Sequence, residues 1–137
     1  AHWCAHPERP MKPRLCSTVP AVVAAALLSA CALTPQPFTI PDGRYARKVE
    51  MNRYPVVITK IDGESNIQAA PLIAPGRHVL TLISLGPHLG PVRREETLTL
   101  DMKPCERYIL AAQHPNAVSE RFTPMVDEVL PEAGCKP

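Results

Sequence analysis

Five cysteines, five histidines and few serines bound what this chain can do chemically. Thiols pair as disulfides, ligate metals or attack as thiolates, and imidazoles move protons near neutral pH. From Cys31 onward the histidines are His78, His88 and His114, and the serines are Ser65, Ser84 and Ser119. None of them stands in G-x-S-x-G or H-E-x-x-H spacing, and the chain has neither a C-x-x-C pair nor a phosphate-cradling glycine loop. The expectation is therefore a non-enzyme with no catalytic residue, no metal site and no cofactor. His78 is expected at the start of a strand, bonded to backbone. His88 and His114 fall in proline-containing loops, where exposure is expected.

The cysteines acquire roles from what surrounds them. From Met11 the sequence reads MKPRLCSTVPAVVAAALLSAC. A basic start at Lys12 and Arg14 precedes an apolar run from Ala21 to Leu28, and small residues follow before Cys31. That is the layout of a cleavable secretory signal peptide over residues 11–30. The run is about half the length that a membrane-crossing helix needs. Leu28-Ser29-Ala30-Cys31 resembles the lipobox of bacterial lipoproteins. The resemblance implies acylation of Cys31, which becomes the first mature residue, and a membrane partner reached through its acyl chains. Each buried methylene contributes about 0.8 kcal/mol, so more than one chain makes the attachment stable. The sorting rules of such lipoproteins place a chain with Ala32 after the cysteine at the outer membrane, on its periplasmic face. The alternative is an ordinary secreted protein cut near Ala24 to Ala26, with Cys31 a plain thiol. Residues 1–10 precede Met11 and read as an over-extended frame or a remnant of expression.

Cys4 and Cys16 leave with such a leader and Cys31 takes the lipid, which leaves Cys105 and Cys135. In an oxidising compartment two remaining cysteines form a disulfide. Their separation of 30 positions makes the bridge worth about 3.5 kcal/mol by loop-closure entropy. Metal or redox use is the alternative, without a supporting spacing.

These side chains must be held by a small fold. With 137 residues the chain suits one domain. The 17 prolines gather outside the runs that read as regular structure. Residues 31–44 hold Pro35, Pro37 and Pro41 and read as a tether, with Phe38 and Ile40 able to dock on the domain. Residues 45–137 read as a β-sandwich. Strands are expected over Tyr54–Ile61, Gln68–Ile73, His78–Ser84, Glu95–Met102, Glu106–Gln113 and Arg121–Leu130, the last being locally ambiguous with a helix. Asp62-Gly63 is a tight-turn pair, and Pro75-Gly76 supplies a preset dihedral followed by a permissive one. Gly86 to Pro91 must be a loop, because its two Gly-Pro steps cannot continue a ladder. The fold class is all-β, a small antiparallel sandwich.

From Cys31 onward twelve basic and twelve acidic residues are interspersed, which leaves no electrostatic footprint for nucleic acid. The short basic steps Arg47-Lys48 and Arg93-Arg94 are answered by Glu50 and Glu95-Glu96. Lys60-Ile61-Asp62-Gly63, followed by Ala74-Pro75-Gly76-Arg77-His78-Val79-Leu80-Thr81-Leu82, resembles the PEGA type of small envelope β-domain. Pro104 to Ala112 and the terminal Gly134-Cys135 resemble the carboxyl half of uncharacterised proteobacterial lipoproteins. The chain departs from the PEGA pattern at the Gly86 to Pro91 loop, where such domains return through a Gly-aromatic turn. The resemblance implies an envelope location. The expected function is an outer-membrane lipoprotein serving as a periplasmic accessory or protein-interaction module, its edge strand open to a partner strand from an envelope protein. The alternative is a binding module for cell-wall glycan or a cation at the Gly86 to Pro91 and His114 loops.

Overall fold

A computed structural model describes residues 35–44 and 50–137. The expected leader, Cys31 and the Arg47-Lys48 step lie outside the described residues. Eight strands and no helix make up the described part. They are β1 (Ile40–Asp42), β2 (Arg53–Tyr54), β3 (Val56–Ile61), β4 (Glu64–Ser65), β5 (Gly76–Ser84), β6 (Glu95–Met102), β7 (Glu106–Gln113) and β8 (Thr123–Pro131). The fold is all-β, built from two largely antiparallel sheets.

In the first sheet β7 is central. Strand β8 pairs with it antiparallel along its whole length, from Glu106↔Pro131 to Gln113↔Thr123. The other side of β7 is shared, with β1 parallel to Arg107–Ile109 and β2 antiparallel to Ala112 and Gln113. The second sheet runs β4-β3-β5-β6. Only Pro55 separates β2 from β3, so the chain passes from one sheet to the other at a residue with no N–H to leave unpaired.

Alternation explains most of the core. Leu80 and Leu82 of β5 and Val56 and Ile58 of β3 face inward against Tyr108, Leu110 and Ala112 of β7, with Met102 and Phe122 closing the cluster. Uninterrupted alternation in β3 would carry Lys60 inward after Ile58. A bulge between Ile58 and Lys60 reverses the parity, so Ile61 packs on the core instead. A second bulge opposite Ile109 and Leu110 makes Asp127 the extra residue of β8. Its carboxylate turns to Arg53, 2.7 Å away, so the strands flanking β7 are joined across it. Tyr108 to Ala112 are buried in succession, so β7 is covered on both faces.

The tether expected over residues 31–44 ends earlier than that range. Thr39, Ile40 and Asp42 are buried, and Ile40–Asp42 form the one parallel strand pairing among the described residues. Thr39 exchanges backbone hydrogen bonds with Ile73 at 2.9 and 3.0 Å, and its hydroxyl donates to the Glu106 carbonyl at 2.8 Å. Pro41 needs no donor at this sheet margin, which is how a proline-rich segment becomes a strand.

The strand expected over Gln68–Ile73 is reduced to the single Thr39↔Ile73 bridge. Upstream, the Asn66 amide donates to the Ile58 and Gln68 carbonyls, and its oxygen accepts from the Gln68 N–H. Such local bonds compete with a ladder. The ambiguous Arg121–Leu130 segment is strand from Thr123, and Val126 packs on the core while Val129 is exposed.

Candidate functional site

The two ends of the sandwich differ. At the end where residues 35–39 join the fold, Cys105 and Cys135 are bonded, with sulfurs 2.02 Å apart. The Cys105 N–H donates to the Phe38 carbonyl at 2.7 Å, and the Glu132 N–H donates to the Cys105 carbonyl at 2.8 Å. Beside the bridge, Arg107 joins Asp42 at 2.7 Å and Glu132 at 2.9 Å, while Arg44 forks onto Asp42. Burial alone would raise the Asp42 pKa, but hydrogen bonds from Arg44 and Arg107 outweigh it and hold the carboxyl below its usual range. The same pairings raise Arg107 above its ordinary value, against a smaller opposing effect of burial. A hollow of about 540 Å³ lies over this network, floored by Ile109 and Leu130. Its charges answer one another.

The turn residues meet in a way their positions in the chain do not announce. Asp62 and Gly63 both have positive φ, 51° and 84°, at the tight turn from β3 into β4, where Ile61 pairs with Glu64. Gly76 opens β5 at φ 131°, a value that suits glycine, directly after Pro75. Asp62 then accepts the Val79 N–H at 2.8 Å through one oxygen and meets His78 Nδ1 at 2.6 Å through the other. The second nitrogen of His78 faces the Ala74 carbonyl at 2.7 Å. Burial would lower the His78 pKa. The Asp62 carboxylate and the Ala74 carbonyl together overcome that and raise it. Asp62 is lowered, first by the Val79 N–H and then by His78. This cluster fixes the register of β3 against β5.

The opposite end is built from residues 50–54, 84–96 and 113–123. His114, expected to be exposed in its loop, is only 2% exposed. Its ring lies edge-on to Tyr54 and stacks on Phe122. Nδ1 donates to the Ser119 carbonyl at 2.6 Å, which sets the tautomer, and Nε2 faces the Ser84 hydroxyl at 2.6 Å. The Ser84 oxygen accepts from the Gly86 N–H at 3.0 Å. A Cβ on Gly86 would stand 2.7 Å from the Tyr54 ring and 2.9 Å from His114 Nε2, so glycine is required by close approach.

A serine hydroxyl on an imidazole is the beginning of a nucleophile-base pair. Here both side chains are buried, and a backbone carbonyl stands where a catalytic pair has an orienting carboxylate. The hollow beside His114 does not reach Ser84. The pair is a strut joining the ends of β5 and β7. With both nitrogens engaged, His114 has none left for a cation. Among the described residues no three His, Cys, Asp or Glu side chains come together as a metal site.

Around this strut two loops are knitted together. The Glu120 carboxylate accepts from the Leu89 N–H and, at 3.2 Å, from the Gly90 N–H, and these bonds hold its pKa down. Arg93 donates to the carbonyls of Ser84 and Gly86 at 2.7 and 3.1 Å, which makes it a structural residue of the Gly86 to Pro91 loop. Leu85, Leu89, Val92, Val118 and Met51 stay exposed on these loops. Between the starts of β6 and β8 lies a hollow of about 460 Å³, lined by Arg94, Glu96, Arg121 and Thr123 and backed by Phe122 and His114.

Strand β6 forms the margin of the second sheet beside this hollow. It pairs with β5 from Glu95↔Ile83 to Met102↔Gly76 and with no other strand among the described residues. The direction of its backbone groups follows from β5. The Val79 carbonyl accepts from Asp62, so Val79 faces β3 and its partner Thr99 turns its N–H and C=O away from β5. Thr81, whose carbonyl takes the Thr59 hydroxyl at 3.2 Å, places Thr97 likewise. Thr97 and Thr99 thus offer donors and acceptors along a free edge. Period-two alternation marks β6 in the sequence, but which parity faces outward depends on the Asp62 turn.

No family model, curated protein or solved structure matches the chain.

Proposed function

We propose that the chain is a non-enzymatic accessory module of the bacterial envelope, held at the periplasmic face of the outer membrane by acyl groups on Cys31, which captures envelope proteins by adding their strands to β6. The observation that carries this reading is the outward-turned backbone of Thr97 and Thr99 on a strand of eight residues paired on one side only. An extended segment added there gains main-chain hydrogen bonds without needing special side chains. The lipobox-like Leu28 to Cys31, the PEGA-like hairpin and the Cys105–Cys135 bridge support the location.

Thr99→Pro tests it cleanly. The N–H that proline removes points to the free edge, so the ladder with β5 keeps its bonds. With a photo-crosslinking residue in place of Thr97, the otherwise unaltered protein should trap an envelope protein in cells, and Thr99→Pro should abolish the adduct while leaving the thermal melt unchanged. An adduct that persists through Thr99→Pro removes the reading.

A further inference from the structure

We propose that the strand accepted by β6 carries a carboxylate, and that this group seats between Arg94 and Arg121 in the hollow at the start of β6. The inference rests on the strand-addition reading and adds the chemistry of the partner. Three observations carry it. The hollow opens where β6 begins, with Arg94 immediately before the strand and Glu96 inside it, so a segment running along the edge passes its mouth. The two guanidiniums that line it are under-engaged. Arg121 is exposed and pairs with no carboxylate among the described residues. Arg94, with its side chain 50% exposed, pairs with Glu96 at 3.9 Å, near the limit of an ion pair, and otherwise feels only the charge of Glu120, whose carboxylate is taken up by the Leu89 and Gly90 N–H groups. Arg93, Arg53 and Arg107, by contrast, are committed to carbonyls or carboxylates at 2.7 Å.

The third observation is the wall. Phe122 and His114 are locked by stacking on each other, so the hollow keeps its shape without a ligand. Arginine forks match the two oxygens of a carboxylate, and a partly apolar surround strengthens the bonds. Glu96 is the paired counter-charge, with Glu120 acting on Arg94 from further off. A guest carboxylate reaches Arg121 without displacing either glutamate and takes up the open donors of Arg94. A lysine-bearing strand would meet two like charges there.

Two peptides blocked at both ends, N-acetylated and C-amidated Val-Thr-Val-Thr-Val-Glu and its Gln counterpart, titrated into the isotope-labelled full chain and followed by NMR, test this. The Glu peptide should shift the amides of Thr97 and Thr99 together with the side-chain N–H signals of Arg94 and Arg121. The Gln peptide should shift the edge amides alone and bind about tenfold more weakly. Arg121→Gln should erase that preference, and salt should narrow it. Equal affinities, or a preference that survives the Arg94→Gln and Arg121→Gln pair, overturn the carboxylate seat and leave strand addition standing. Arginine shifts without edge shifts keep the seat and remove strand addition. No shift anywhere removes both.

Discussion

The Ser84 hydroxyl stands 2.6 Å from Nε2 of His114, thirty residues away, with both side chains sealed from solvent. Removing one partner strands the other. Ser84→Ala leaves the imidazole nitrogen and the Gly86 N–H unsatisfied, and should cost about 1–3 kcal/mol in urea unfolding. His114→Phe keeps the aromatic shape between Tyr54 and Phe122 and removes the nitrogens. The double variant should cost clearly less than the two single losses added together. Strict additivity would show that the contact contributes nothing as a pair.

His78 and Asp62 predict a stability plateau in pH. The folded His78 pKa lies above the ordinary histidine value of 6.5, so its contribution is complete below about that pH and fades as pH rises through the folded value. The folded Asp62 pKa lies below 3.8, so its contribution is complete above that pH and fades as pH falls through the folded value. The pair therefore helps most between these limits. His78→Gln should flatten the alkaline limb of unfolding midpoint against pH while sparing most of the acid limb, and proton NMR of the His78 ring should titrate above a free histidine. A His78 ring that titrates below the free value would refute the assignment.

Reduction should loosen one end of the domain first. Cys105→Ser with Cys135→Ser should cost about 3.5 kcal/mol. Because the Cys105 backbone holds both Phe38 and Glu132, amide exchange should rise first in Ile40–Asp42 and at the end of β8, before the β5–β6 ladder. Uniform acceleration across both sheets would mean that the bridge acts only on the unfolded chain.

Much of the sheet architecture was legible in the residues, since β3, β5, β6 and β7 announce themselves by β-branched content or alternation and their turns carry Asp-Gly, Pro-Gly and Lys-Pro, whereas β8 read equally as a helix. Strand β1 was hidden because its partner is a distant parallel segment and its Pro41 argues locally against a ladder. The burial of His114 was equally hidden. A histidine before a proline reads as loop surface until Ser84, Tyr54 and Phe122, each from another element, arrive around it. Bulges at Thr59 and Asp127 shift parity without a sequence mark, since they are settled by which side chain the core accepts. The hollow between Arg94 and Arg121 joins residues whose charges, read along the chain, look balanced by adjacent glutamates.

Strand β1 runs alongside β7 in the same direction, with Thr39 fastened to Ile73 just before it and the cystine beside its root. A pull on the amino-terminal segment, directed along the strand, therefore loads these hydrogen bonds simultaneously in shear instead of peeling them one after another. Tension from that side therefore enters the sheet through its central strand, β7, and not through the margin at β6.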